Sequence, residues 1–132
     1  MKKRVVTLLI FLFLYGLNPY SGFTQGSPAN IEQALRAGNA AEISKYFAPS
    51  VDITINNSTA TYRKTQAELI LKDFFQKNPI KNFETEESGN SNSVNATFTI
   101  GNLTTSGGNY KVYIWLKPVT GGYILKALRF DR

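Results

Sequence analysis

The sequence predicts an α+β fold, with helices gathered toward the front of the chain and an antiparallel sheet closing it. Three observations carry this. Apolar residues recur at helical spacing in three segments before residue 79. From Ile80 onward the pattern changes to strands separated by short Gly-, Asn- and Pro-bearing turns. Turns that short join antiparallel neighbours, so the last four strands read as a meander rather than a parallel sheet.

The elements follow in order. Lys2, Lys3 and Arg4 precede an apolar run from Val5 to Leu17, and a small-residue exit ends at Thr24-Gln25-Gly26. That is the layout of a secretory signal peptide, and the run is shorter than the roughly 20 residues a membrane span needs. Residues 1–26 are therefore expected to be removed, with Thr24 and Gly26 flanking a cut before Ser27. Residues 27–132 form one exported domain, periplasmic or extracellular, that keeps no membrane span. Ser27-Pro28 opens a first helix as a hydroxyl cap followed by proline, with Ile31, Ala34 and Leu35 inward and Gly38-Asn39 at its end. A second runs from Ala40 to Phe47, stopped by Ala48-Pro49-Ser50. Val51 to Ile55 alternates with period two, turns at Asn56-Asn57-Ser58 and returns over Thr59 to Arg63. Thr65-Gln66-Ala67-Glu68 has the form of a capping box and starts a third helix, which Pro79 ends after Asn78. Its buried stripe is Ala67, Ile70, Leu71 and Phe74, with Leu69 pointing out. The strands expected next are Lys81–Ser88, turned by Gly89-Asn90, and Ser93–Ile100. After a loop over Gly101–Asn109 come Tyr110–Lys117, a turn at Pro118 and Gly121-Gly122, and Tyr123–Phe130.

Composition excludes several chemistries. The three basic residues of the leader account for half of the +6 net charge, leaving twelve basic and nine acidic residues in 27–132. Those basic residues are scattered, so no nucleic-acid face is expected. The chain has no cysteine and no histidine. Thiol catalysis, thiolate or imidazole metal sites and serine–histidine triads are thereby excluded, and no cofactor or metal is expected. Glu84, Glu86 and Glu87 do not converge on one strand face as a calcium site would require.

The order of elements resembles the nuclear-transport-factor-2-like fold, a cystatin-like cone of helix, helix, hairpin and helix followed by a four-strand antiparallel meander. Within it the chain resembles an uncharacterised family of exported proteins from Bacteroidetes-type bacteria. The residues carrying this are Lys64-Thr65-Gln66-Ala67, Phe74-Phe75, Thr99-Ile100-Gly101-Asn102-Leu103-Thr104-Thr105, Gly108-Asn109-Tyr110-Lys111-Val112 and the strand Ile124–Phe130. They cover about Ile31 to Arg132. The family's function is unknown. The fold's wider relatives include ketosteroid isomerases, polyketide cyclases, dehydratases and noncatalytic binding or dimerisation modules, and fold alone does not choose among them.

Two candidate sites emerge. Tyr110, Val112, Ile114 and Leu116 alternate with Tyr113 and Trp115, and Lys111 and Lys117 share the latter face. That face is expected outward, as the centre of a homodimer interface at Tyr113 and Trp115. The inward face gathers Ile53, Ile55, Leu71, Phe74, Phe98, Val112, Ile114 and Phe130, with Tyr46 and Tyr62 near its mouth. It forms either a pocket for a small apolar ligand or a filled core. The expected role is an exported, noncatalytic binding module for such a ligand or a protein partner. One alternative is a histidine-free isomerase or lyase of ketosteroid-isomerase type, with Asp52 as base and Tyr46 or Tyr62 as oxyanion donor. Another is a structural dimerisation or assembly domain.

Overall fold

Ser27 caps the first helix as its hydroxyl chemistry predicts: Asn30 N–H donates to Ser27 Oγ at 3.3 Å, and Pro28 occupies the first helical position. The computed structural model describes residues 26–132, so the expected leader lies outside the described residues up to Gln25. The elements are α1 (Pro28–Arg36), α2 (Ala40–Ser44), β1 (Phe47–Ile55), β2 (Ser58–Arg63), α3 (Lys64–Lys77), β3 (Ile80–Ser91), β4 (Ala96–Thr105), β5 (Gly108–Val119) and β6 (Gly122–Asp131).

The expected order holds, but the sheet is larger than a four-strand meander. Strands β3 to β6 pair antiparallel in sequence, and β1 then joins β6 in parallel, giving one mixed six-stranded sheet ordered β2-β1-β6-β5-β4-β3. This corrects the expectation of a four-strand antiparallel meander: the hairpin strands extend it to six, and the β1–β6 contact is parallel. Helix α3 carries the chain from β2 at one edge of the sheet to β3 at the other, and the hairpin joins the sheet through β6.

Several boundaries differ from expectation, the largest because pairing outweighs a local signal; Pro118, expected in a turn, pairs with Tyr123 within β5. Helix α2 ends at Ser44, and Phe47 and Ala48 enter β1, where both are buried and Phe47 pairs with Leu125. Pro49 is tolerated in that strand because it falls where the ladder to β6 shifts register, between Phe47 and Asp52. The capping box does not form. β2 stays paired through Arg63 with Ser50, so α3 starts at Lys64 behind an extended Arg63 that makes no side-chain cap, and Thr65 lies within the first turn. Gly89 and Asn90 are not a turn but ladder partners of Phe98 and Thr97. The chain reverses later, over residues 92–95, with Asn95 at φ 45°. The expected loop from Gly101 is instead the second half of β4. Gly101 pairs with Thr85 and Val112, and a Cβ there would stand 2.5 Å from Phe83 Cε2 and 2.7 Å from the Glu84 carbonyl oxygen.

The β1–β2 hairpin matches the reading. Asn56 and Asn57 have φ of 48° and 71°, the left-handed pair a two-residue turn demands, and Ile55 pairs with Ser58 across it. The helices cover one face of the sheet. Phe74 and Phe75 of α3 pack on the ring of Phe130, at centroid separations of 4.6 and 6.4 Å, and Phe74 meets Tyr110 at 5.2 Å. From α1, Arg36 Nε donates to the Phe83 carbonyl at 3.2 Å and ties that helix to β3. No described helix is long and apolar enough to cross a membrane.

Candidate functional site

The pairing register sorts the candidate residues onto two faces. On the helix-covered face, Ile53, Leu128, Ile114 and Thr99 stand side by side across four strands, and Ile55, Phe130, Val112 and Gly101 form the next row. Leu71, Val112 and Phe130 are each 0% exposed, and Ile53, Phe74 and Ile114 are buried with them in one continuous core. Tyr62 and Tyr46 are partly buried and pack against its margin. The interior is occupied by side chains touching one another. Its one discordant group is the buried Thr99 hydroxyl, which has no hydrogen-bond partner among the described residues.

Surface depressions lie at the edges of this core, and one of about 310 Å³ is lined by Tyr46 together with Asn30, Gln33, Asn39 and Glu42. A second, of about 460 Å³, runs between the α1–α2 turn and α3, lined by Ala37 to Ala41 with Glu68, Lys72, Phe75 and Gln76. Another, of about 290 Å³, sits at the tip of the β3–β4 hairpin among Asn90, Ser91, Asn92, Asn95 and Tyr123. None of these is lined by Leu71, Phe74, Val112, Ile114 or Phe130.

Phe98 is the principal correction. It pairs with Trp115, and their rings lie 5.6 Å apart, so it faces away from the pocket set it was expected to join. The reason is parity along β4. Strand side chains alternate faces, and Leu103 and Thr105 are buried on the core side. Phe98, five residues before Leu103 in an uninterrupted strand, must then point outward. Reading Gly101–Asn109 as a loop hid this. The Phe83 ring lying over Gly101 is the feature that keeps β4 in the ladder there.

The outward face therefore carries more aromatic surface than the two residues read from β5. One cross-strand row is Asp52, Ala127, Trp115, Phe98 and Gly89, with Thr61 beyond Asp52. The adjacent row is Thr54, Arg129, Tyr113, Ile100 and Glu87. Phe98, Ile100, Tyr113, Trp115 and Ile124 are each half-buried. Phe98 also packs over Gly89, where a Cβ would stand 3.1 Å from its Cζ.

Charges of both signs rim this patch. Lys111 pairs with Glu86 at 3.4 Å, Asn102 donates to the same carboxylate at 3.3 Å, and Arg129 Nε donates to Asp131 at 2.6 Å. The Asp131 carboxylate, through that hydrogen bond and its charge, raises the exposed Arg129 guanidinium above its ordinary pKa. Surface pairs of this kind contribute little to stability, so they orient more than they stabilise.

Asp52 lies in the outward row, exposed, where its carboxylate accepts a hydrogen bond from the Thr61 hydroxyl. The two tyrosines proposed as its donors stand elsewhere: Tyr62 pairs with Val51 and packs on the core margin, and Tyr46 lies against Gly26. Asp52 therefore does not share a site with either of these tyrosines. Among the described residues no three acidic side chains converge in a way that would hold a metal ion.

Comparison with known proteins places this architecture. Residues 28–131 match the family model for a domain of unknown function, DUF4783. The chain is similar to the crystal structure of a DUF4783 family protein from Bacteroides ovatus, at 29% identity and TM-score 0.75, over 83% of this chain and 97% of that one. The corresponding protein from Bacteroides uniformis is 28% identical, with TM-score 0.75, over 81% of this chain and 97% of that one. More distantly, the fold matches an NTF2-like protein of unknown function from Cytophaga hutchinsonii, at 12% identity and TM-score 0.55, over 78% of this chain and 85% of that one. No curated protein matches the sequence.

Proposed function

The chain belongs to the DUF4783 family, and on that premise we propose that it is an exported, noncatalytic binding module that works through the open face of its sheet, with a second copy of itself as partner. The observation carrying this is the cross-strand cluster of Phe98, Ile100, Tyr113 and Trp115 on the face that no described helix covers. Contiguous aromatic surface rimmed by polar groups is costly to leave in water and marks contact sites. A rim of both signs, built from Lys111, Glu86, Arg129 and Asp131, suits a self-complementary protein contact better than a uniformly charged partner. The basic residues and apolar run before Gly26 support export.

A pocket-based function has less support. A small apolar ligand would have to displace Phe74 or Phe130 from a core in which rings already pack on rings. An Asp52-based isomerase would need an acceptor site on an exposed strand face, with Thr61 as its hydrogen-bonding neighbour.

Sedimentation equilibrium tests the proposal. At micromolar concentration the domain is expected to be a dimer, and the Tyr113→Ser, Trp115→Ala double variant a folded monomer. A wild-type chain that stays monomeric through that range rejects the reading.

A further inference from the structure

We propose that processing of this chain spares Gly26: the leader is cut away on the N-terminal side of that residue, not between Gly26 and Ser27. The inference rests on the export reading above. Gly26 and Tyr123 exchange both backbone hydrogen bonds, Tyr123 N–H to the Gly26 carbonyl at 3.1 Å and Gly26 N–H to the Tyr123 carbonyl at 3.3 Å. Gly26 thus continues the sheet beside β6 just beyond Leu125, the β6 residue at which β1 begins its pairing. Losing it would strip both partners from Tyr123, and unpaired backbone groups are what folded chains avoid. The fit is also specific to the residue. Gly26 is buried against the Tyr46 ring, where a Cβ would stand 2.7 Å from Cε1 and 3.1 Å from Cγ. Tyr46 is itself held, because its carbonyl accepts from Leu125 N–H at 2.7 Å.

A second observation points the same way. Ser27 caps α1, its side chain accepting from Asn30 N–H and its carbonyl from Asn30 and Ile31 N–H. A cut before Ser27 would place a protonated amino group on the cap residue, at the positive end of the helix. A cut before Gln25 moves that charge two residues away and leaves the bridge whole. Gly22-Phe23-Thr24 supplies the small-x-small pattern for such a cut. A signal-processing peptidase would add water across the Thr24–Gln25 amide. Thr24 would leave with the leader as a carboxylate, and Gln25 would keep the new amino group.

Two measurements test this. The full chain is produced in an export-competent bacterium, and the processed protein is read by intact mass and N-terminal sequencing. A first residue at or before Gly26 is the expected result; a start at Ser27 or later overturns the inference. A chain found uncut in the cytosol overturns the export reading and the proposed cut with it. Independently of export, domains beginning at Gln25 and at Ser27 are each released from a fusion partner and melted. The shorter form is expected to melt about 4–8 °C lower, as losing two backbone hydrogen bonds, each at the low end of its net contribution, implies in a domain this size. Equal melting temperatures would overturn the structural role of Gly26 whatever the cell does.

Discussion

Phe130 and Phe98 are chemically identical side chains that the pairing register puts on opposite faces, and their truncation should cost very different amounts. Phe130 is 0% exposed, its ring is 4.6 Å from that of Phe74, and Val112 and Ile55 flank it in the ladder. Helix α3 lies over it and the sheet beneath it, so little can collapse into the space a ring would leave. Phe130→Ala is therefore expected to cost about 3–5 kcal/mol, the range for core aromatics. For a domain of about 107 residues that is a fall of roughly 15–30 °C in melting temperature. Phe98 is half-buried and rests on Trp115 at 5.6 Å and on Gly89. Its loss removes one aromatic pairing and little enclosed volume, so Phe98→Ala should cost about 1 kcal/mol. Urea unfolding followed by far-ultraviolet circular dichroism reads both, at low protein concentration so that self-association does not add to apparent stability. Equal costs for the two variants, or a Phe130→Ala cost below about 1.5 kcal/mol, would refute the filled helix-covered face.

Two further substitutions probe the local readings that the fold overrode. Thr65→Ala should change unfolding free energy by less than about 0.5 kcal/mol, because Thr65 caps nothing; a loss near 1 kcal/mol in the same urea titration would mean that the capping box forms. Gly101→Ala should destabilise by about 1–3 kcal/mol, because the new methyl meets the Phe83 ring and the Glu84 carbonyl, and a neutral result would contradict the close packing of β3 on β4.

How much of this was legible in the sequence follows from which forces act locally. Ser27-Pro28, the Asn56-Asn57 turn and the alternation of β5 are short-range signals, and each stands where the residues place it. The end of α2, the start of α3 and the reach of β4 are decided by partners distant in sequence: Leu125 for Phe47, Ser50 for Arg63, and Val112 with Thr85 for Gly101. Glycine misled twice for one reason. Gly89 reads as a turn and Gly101 as the start of a loop, yet each makes room for a phenylalanine ring from a neighbouring strand, Phe98 and Phe83. The site suffered accordingly. Tyr113 and Trp115 were assigned from their own strand's alternation, whereas Phe98 needed the parity of β4, which an assumed loop at Gly101 broke.

The open face as a contact between two copies is the central claim, and isotope-filtered nuclear Overhauser spectroscopy on a mixture of labelled and unlabelled domain tests it most directly. Intermolecular cross-peaks are predicted between the Trp115 indole and the Phe98, Ile100 and Tyr113 side chains of the other copy. A dimer whose intermolecular cross-peaks map to another surface, or a sample with none at millimolar concentration, would contradict it.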